Sequence, residues 1–195
     1  MKNTASDLEQ KIKASTNLMF DLDDTLVHTG YANFLSYSEA FRRIVHSEFA
    51  VLYNPLKRFT RETLIEEFPF LSREEIKDIV KLKDELYSSN LNKTELNHPV
   101  AEILSKYKKA NKTILVTNSR KKRAVETLKH HELFKDFSSR YFKPKHQGDK
   151  NFNKYENALK ALNIHPFQVV VFENDRLEIH AAVRAGVPEE NIIRI

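Results

Sequence analysis

The sequence contains no cysteine, which excludes disulfide bonds, thiolate zinc sites and cysteine nucleophiles. It also lacks any run near the ~18 apolar residues of a membrane-spanning helix. Residues 1–16 lack the apolar segment of a cleavable signal peptide and are typical of a short polar helix. We therefore expect no membrane span and a cytoplasmic location by default, with export by a signal-independent route also compatible. These features give no indication of oligomeric state.

The 195 residues suit one domain, or a core with a modest insertion. Their net charge of +5 is unevenly distributed. Residues 99–165 contain 16 Lys and Arg against 6 Asp and Glu, whereas residues 30–98 contain 10 against 11. A basic surface in the first segment could attract phosphorylated molecules or nucleic acid, although a solvated lysine-rich face explains most of these lysines equally well.

The most informative stretch is the apolar run 18–22, which contains Asp21 and is followed directly by Asp23. Such a run is typical of a buried strand in a parallel sheet, and ligands bind outside the carboxyl ends of such strands. We expect the backbone to turn sharply after Asp21, so that both carboxylates converge on one site. The alternative is a strand ending in an acidic turn with no chemical role.

Strand-like runs alternate with amphipathic helices along most of the chain. This pattern predicts an α/β fold, with a Rossmann-like parallel sheet and flanking helices. Gly186 stands where a helix C-cap glycine is expected. The predicted strands are 18–22, 113–117, 168–173 and 191–195, with a weaker candidate at 138–142, and the predicted helices are 99–110, 120–131, 154–163 and 176–186.

Residues 30–97 interrupt the alternation and contain no convincing strand. Apolar residues from Phe34 to Leu52, many of them aromatic, predict one long helix. Residues 60–68 predict a short helix, and a capping box at 72–75 opens a third. The segment is too long for an ordinary connection. We expect a small all-helical cap, 30–97, inserted after the first strand of a core formed by 1–29 and 98–195, overhanging the ligand site as a lid.

Further polar groups follow the other predicted strands. The second strand ends in Thr117-Asn118-Ser119, whose hydroxyl and amide groups could bind phosphate oxygens or simply form a turn and cap. Oxygen donors suited to a hard cation end the next long strand, at 173–175 and Glu178. A lysine cluster between these strands could neutralise the carboxylates and a bound phosphate; it comprises Lys143, Lys145, Lys150 and Lys154.

Taken together, these residues resemble the haloacid dehalogenase (HAD) superfamily of phosphohydrolases. The segment 21–25 matches the first motif, DxDxT, and Thr117 matches the threonine or serine of the second. The segment 169–187 is similar to the fourth motif and its helix. A helical cap after the first strand corresponds to the family's C1 arrangement. The resemblance covers nearly the whole chain outside the insertion.

The resemblance implies roles for these residues. Asp21 would attack phosphorus and form an aspartyl-phosphate, and Asp23 would protonate the leaving oxygen and then activate water. Thr117 and Asn118 would bind the phosphoryl oxygens. Mg²⁺ would be held by the Asp21 carboxylate, the Asp23 carbonyl and a fourth-motif group. Retention of Asp23 favours phosphate over halide chemistry.

Two positions depart from the family pattern. The fourth-motif aspartate is replaced by Asn174, whose uncharged oxygen would bind Mg²⁺ less strongly, so Asp175 is an alternative metal ligand, with compensation also open to Glu173 or Glu178. The third-motif lysine is ambiguous. Its spacing to Tyr155 favours Lys150, with Lys154 second.

The sequence thus predicts a Mg²⁺-dependent phosphomonoester hydrolase. Its substrate would be a small phosphometabolite or a phosphorylated protein side chain such as phosphotyrosine. Nucleic acid is allowed by the basic segment but not supported by any basic–aromatic interleaving. A catalytically silent protein of this fold, binding a partner through its cap and basic face, is the alternative that Asn174 favours. Nothing specifically indicates a phosphomutase.

Overall fold

The computed structural model describes residues 11–144 and 152–195 and divides the chain into two compact units. The first contains the chain up to Val27 together with Leu96–Ile195, and the second contains His28–Glu95. Each has its own buried core. The boundaries that the sequence suggested, 29/30 and 97/98, lie near these divisions and stay a prediction.

The described strands and helices follow the predicted alternation in the first unit. The strands are β1 (Asn17–Phe20), β2 (Val27–His28), β3 (Glu95–Leu96), β4 (Thr113–Thr117), β5 (Ser139–Phe142), β6 (Val169–Glu173) and β7 (Ile192–Arg194). The helices are α1 (Gly30–Val45), α2 (Arg61–Glu67), α3 (Arg73–Leu86), α4 (His98–Tyr107), α5 (Lys121–His130), α6 (Lys154–Leu162) and α7 (Arg176–Arg184).

Five of the strands form a parallel sheet in the order β5-β4-β1-β6-β7. The central strand is β1, whose last residue, Phe20, is in register with Leu115 of β4 and Phe172 of β6. Because the strands are parallel, their carboxyl ends meet at one edge. The residues that follow β1, β4 and β6 are therefore neighbours there.

Side chains of β1 alternate between two buried clusters, as expected for a strand covered on both faces. Leu18 and Phe20 pack with Leu104 of α4 and Leu128 of α5. Met19 packs in the other cluster, with residues of α6 and α7 that include Tyr155, Leu159, Ile179 and Ala182. The arrangement confirms the predicted α/β class, a Rossmann-like sheet with flanking helices.

The second unit is built from α1, α2 and α3 around an aromatic core. Phe41 contacts Phe49 and Phe68, with ring centroids 5.4 Å and 4.3 Å away. The predicted capping box of α3 is present, since Ser72 Oγ accepts from the Glu75 N–H and Glu75 Oε2 accepts from the Ser72 N–H.

Three sequence expectations are wrong in detail. The strand predicted at 18–22 ends at Phe20, because the chain turns from Asp21 onward. The long helix predicted up to Leu52 ends at Val45, where His46 adopts a left-handed conformation with φ 54°. The insertion was expected to contain no strand, yet β3 pairs with β2. Two-residue strands depend on a distant partner and leave no periodic pattern.

Candidate active site

Asp21 directly follows β1 at the carboxyl edge of the sheet. It is only 5% exposed, and its backbone N–H donates to the Phe172 carbonyl, 3.1 Å away. The chain then turns tightly: the Leu22 carbonyl accepts from Leu26 and Val27, and Asp24 has a positive φ of 62°. The sharp turn that the two carboxylates required is therefore present.

The Lys154 ammonium contacts Asp21. Its Nζ donates to Asp21 Oδ1 and to Glu173 Oε2, both at 2.7 Å, and lies 3.6 Å from Glu178 Oε2. The Lys154 side chain is 2% exposed, so this ion pair is shielded from water. Of the two predicted third-motif lysines, Lys154 is thus brought to Asp21, while Lys150 lies outside the described residues.

The position of Lys154 is set by the start of α6. Asn153 caps this helix, because its Oδ1 accepts from the backbone N–H groups of Tyr155 and Glu156 at 3.0 and 3.2 Å. The Asn153 amide also donates to the Ala181 carbonyl of α7 at 2.7 Å. One side chain therefore fixes both the helix start and its place beside α7.

Glu173, the last residue of β6, orients the lysine. It is 1% exposed, and its Oε2 accepts from Lys154 and from the Tyr155 hydroxyl, the latter at 2.6 Å. Its Oε1 accepts from the backbone N–H groups of Asn174 and Asp175, both at 3.0 Å. Both carboxylate oxygens are engaged within the protein, which points to a positioning role for Glu173 rather than compensation as a metal ligand.

Burial and charge strongly shift the titration of this cluster. Burial raises the pKa of Asp21 from 3.8 to about 8; Lys154 opposes the shift, and the Glu173 and Asp23 carboxylates add to it. Burial acts to lower the pKa of Lys154, but Asp21 and Glu173 outweigh it and hold that pKa above its usual value. Burial likewise raises the pKa of Tyr155 well above 10.0.

Two residues that follow β4 hold the Asp23 side chain. The Ser119 hydroxyl donates to Asp23 Oδ2, and Arg123 Nη2 donates to Asp23 Oδ1 at 2.5 Å. The side chains of Arg123 and Asp23 are 13% and 17% exposed, so the ion pair is partly shielded. Ser119 follows β4, and Arg123 lies in the first turn of α5.

The predicted phosphate-binding residues lie at the end of β4. Thr117 is buried, and its Oγ1 accepts from the Ser119 N–H at 3.0 Å. Asn118 is exposed, and its side chain hydrogen-bonds Glu178. Burial raises the pKa of Glu178, with Lys154 opposing the shift and Glu173 adding to it.

The two candidate fourth-motif ligands differ in their contacts. Asn174 is exposed, and its Oδ1 accepts from the buried Thr25 hydroxyl at 2.8 Å, while the Asn174 N–H donates back to Thr25 Oγ1 at 3.1 Å. Asp175 caps α7, with its Oδ1 accepting from Leu177 and Glu178 at 2.7 and 3.2 Å. Capping therefore already engages one oxygen of Asp175.

The sequence profile of the haloacid dehalogenase-like hydrolase family matches residues 18–189. The chain belongs to this family. The membership confirms the resemblance seen in the sequence and the prediction of a HAD-type hydrolase. No curated protein sequence matches the chain.

Solved structures share the fold of this HAD-like hydrolase. One is described as a predicted phosphoglycolate phosphatase from Haemophilus somnus 129pt, with 19% identity, a TM-score of 0.73 and coverage of 90% of this chain and 84% of that one. CbbY from Rhodobacter sphaeroides, in complex with phosphate, has 18% identity and a TM-score of 0.70, with coverage of 88% of this chain and 83% of that one. The β-phosphoglucomutase from Clostridium difficile has 20% identity and a TM-score of 0.67, with coverage of 88% of this chain and 81% of that one.

HAD hydrolases generally use Mg²⁺, and the donor chemistry at this edge fits such a cation. Within residues 11–144 and 152–195, no three His, Cys, Asp or Glu side chains gather into a metal-binding group. Mg²⁺, however, needs only one or two carboxylates, because it retains several waters. The carboxyl groups of Asp21, Glu173 and Glu178 surround the single Lys154 ammonium. A divalent cation here would favour the ionised form of Asp21, whose pKa is raised by burial.

Sequence reasoning about this HAD hydrolase missed Arg123 and the orienting role of Glu173. The available signal for Arg123 was its place in the first turn of the helix after Thr117, where a cation opposes the helix dipole. Glu173 was grouped with the candidate metal ligands, since composition cannot show which acid faces inward.

Within the described parts of the chain, no helix has the length and apolar character to cross a membrane.

Proposed function

We propose that this chain is a Mg²⁺-dependent phosphomonoester hydrolase that works through an aspartyl-phosphate on Asp21. The observation that carries the proposal is the buried Asp21 carboxylate at the sheet edge, paired at 2.7 Å with Lys154. A carboxylate kept from water with one of its oxygens fixed is suited to nucleophilic attack.

In the proposed reaction, Asp21 attacks phosphorus and the bond to the leaving oxygen breaks, with Asp23 giving that oxygen a proton. Asp23 then takes a proton from the water that hydrolyses the aspartyl-phosphate. Thr117 and Asn118 bind the phosphoryl oxygens. Lys154 neutralises Asp21 and orients it, and Glu173 and Tyr155 hold Lys154 in place.

The Mg²⁺ ligands would be the Asp21 carboxylate, the Asp23 carbonyl and a fourth-motif oxygen. We propose Asn174 for the last position, with Asp175 as the alternative, because the Asn174 carbonyl retains a second lone pair beyond its bond from Thr25. When bound, the cation offsets the repulsion between an anionic nucleophile and an anionic phosphate.

Asp21→Asn tests the nucleophile. We expect hydrolysis of p-nitrophenyl phosphate in Mg²⁺ to fall by about 10³-fold or more, because an amide cannot form the acyl phosphate. Asp136→Asn is the matched control, since Asp136 pairs with Lys108 away from this edge, and it should retain activity. Equal turnover of wild type and Asp21→Asn would refute the assignment.

We further propose that the substrate is a small phosphometabolite or a phosphorylated protein side chain such as phosphotyrosine. The structural neighbours named above include a predicted phosphoglycolate phosphatase and a β-phosphoglucomutase. A panel of phosphosugars, nucleotides and phosphopeptides, assayed with Mg²⁺ and with chelator, separates these classes.

A second candidate function is a catalytically silent protein that binds a partner. It is supported by Asn174, an uncharged residue at the family's aspartate position. Under this alternative, the wild-type protein shows no Mg²⁺-stimulated hydrolysis anywhere on the panel.

A further inference from the structure

Asp23 lies in a turn rather than in a strand, so the sheet does not fix its side chain. It sits between the end of β1 and β2, in the segment closed by hydrogen bonds from Leu26 and Val27 to the Leu22 carbonyl. A general acid must hold its proton within hydrogen-bond reach of the leaving oxygen. Residues outside this turn contribute to the direction of the Asp23 carboxylate.

Two side chains from a distant segment hydrogen-bond the Asp23 carboxylate, one to each oxygen. Ser119 donates to Oδ2 and Arg123 donates to Oδ1 at 2.5 Å. The guanidinium contact is partly shielded from water. Each Asp23 oxygen keeps a second lone pair beyond this bond, so the carboxyl group can still carry the proton that it transfers. A carboxylate held at both oxygens has little freedom to rotate.

Arg123 is itself supported by a rigid element. The next residue, Ala124, and Leu128 one turn on are fully buried in the core below the sheet. The Arg123 carbonyl accepts from the Thr127 hydroxyl at 3.0 Å. The guanidinium is thus presented from a helix anchored to the sheet that carries Asp21.

We propose that Arg123 is a positioning residue that aims the Asp23 carboxylate at the leaving oxygen and, after its departure, at the attacking water. The proposal rests on the proposed hydrolase function. Arg123 need not touch substrate for this role. Ser119 acts in the same way on the other carboxylate oxygen.

The role makes a prediction that depends on the leaving group. Protonation matters most when the departing oxygen is strongly basic, as in an alkyl phosphate, and little for p-nitrophenolate. We expect Arg123→Ala to lower kcat/KM about 10- to 100-fold for an alkyl phosphate and less than about 3-fold for p-nitrophenyl phosphate. KM should change little for the alkyl phosphate, whereas for p-nitrophenyl phosphate it should fall together with kcat, because hydrolysis of the aspartyl-phosphate then limits turnover.

The second step gives an independent readout. Hydrolysis of the aspartyl-phosphate is common to all substrates and also uses Asp23. We therefore expect Arg123→Ala to release p-nitrophenolate in a rapid burst, followed by a slowed steady state as phosphorylated Asp21 accumulates. Arg123→Lys keeps a cation and should recover part of both effects.

Lys129→Ala, a cation removed from the last turn of the same helix, is the control and should behave as wild type. Thermal unfolding of each variant checks that it is folded, and Arg123→Lys and Ser119→Ala serve as milder variants if Arg123→Ala unfolds. An equal fall in kcat/KM for both substrates, with no burst, overturns the positioning role. A wild-type protein that hydrolyses neither substrate, or an Asp21→Asn protein that hydrolyses both, overturns the hydrolase proposal instead.

Discussion

The Lys154 ammonium group neutralises two carboxylates that lie at the ends of neighbouring strands. Asp21 follows β1, Glu173 ends β6, and both lie 2.7 Å from Nζ. Neither acid could be buried here as an isolated anion, because moving a charge out of water is far too costly without a partner. The lysine therefore serves both the fold and the proposed chemistry.

Lys154→Met should consequently impair activity and stability together. We expect turnover of p-nitrophenyl phosphate to fall at least ~100-fold and the free energy of unfolding to fall by about 3–5 kcal/mol, because two buried carboxylates lose their partner. Urea denaturation measures the second effect. Lys160→Met on the same helix breaks only an exposed pair with Glu156 and should leave both quantities nearly unchanged. A stable, active Lys154→Met protein would contradict this account.

The raised pKa of Asp21 makes a pH prediction for the protein in chelator. Burial raises the pKa of the Asp21 carboxyl to about 8 in the folded protein, whereas the unfolded carboxyl ionises near its ordinary value of 3.8. Between these values the folded state binds more protons, so this group lowers the free energy of unfolding as pH rises.

Urea denaturation of wild type and Asp21→Asn at pH 5, 6, 7 and 8, with chelator, isolates this effect. The stability of wild type relative to Asp21→Asn should decline steadily across the series. Mg²⁺ should flatten the decline, because a bound cation stabilises the ionised carboxylate. Two parallel pH profiles would show that burial does not shift the titration of Asp21.

At the scale of helices and strands, the position of Lys154 depends on how α6 begins. Asn153 caps the helix and also binds the Ala181 carbonyl, directly before Lys154. Ser72 caps α3 in the second unit with comparable geometry. The two caps are chemically similar, but only one adjoins the candidate active site.

Asn153→Ala and Ser72→Ala form a matched pair for that reason. Loss of the N-cap should cost about 1 kcal/mol of unfolding free energy in each variant, and Asn153→Ala also loses the buried hydrogen bond to the Ala181 carbonyl. Only Asn153→Ala should also lower kcat, because the helix start that carries Lys154 loses its tie to α7. Equal kcat losses in the two variants would argue against this specific role of Asn153.

Periodicity predicted the core elements well, since β1, β4 and β6 are short apolar runs with no polar alternation. It could not locate element ends that depend on tertiary partners, such as the termination of α1 at Val45. The site was predictable where a carboxylate followed an apolar strand, as at Asp21. The partner of Arg123 was not predictable, because Asp23 is distant from it in sequence.

At the scale of the whole molecule, two separate cores should respond separately to mutation. Phe41→Ala removes the centre of the aromatic cluster in the second unit and should cost about 3–5 kcal/mol. Hydrogen exchange should quicken mainly within residues 28–95, while amides of the parallel sheet keep their protection. Uniform loss of protection across both units would show that they unfold as one.

The order of strands in the sheet has a consequence for biosynthesis. β1 is synthesised well before its two neighbours, β4 and β6, so its apolar residues stay without both strand partners until β6 is synthesised. Long-range parallel pairing of this kind folds slowly and exposes aggregation-prone segments. The nascent chain should therefore need shielding by the ribosome surface or a chaperone, and Asp21 should become competent only after β6 has left the exit tunnel.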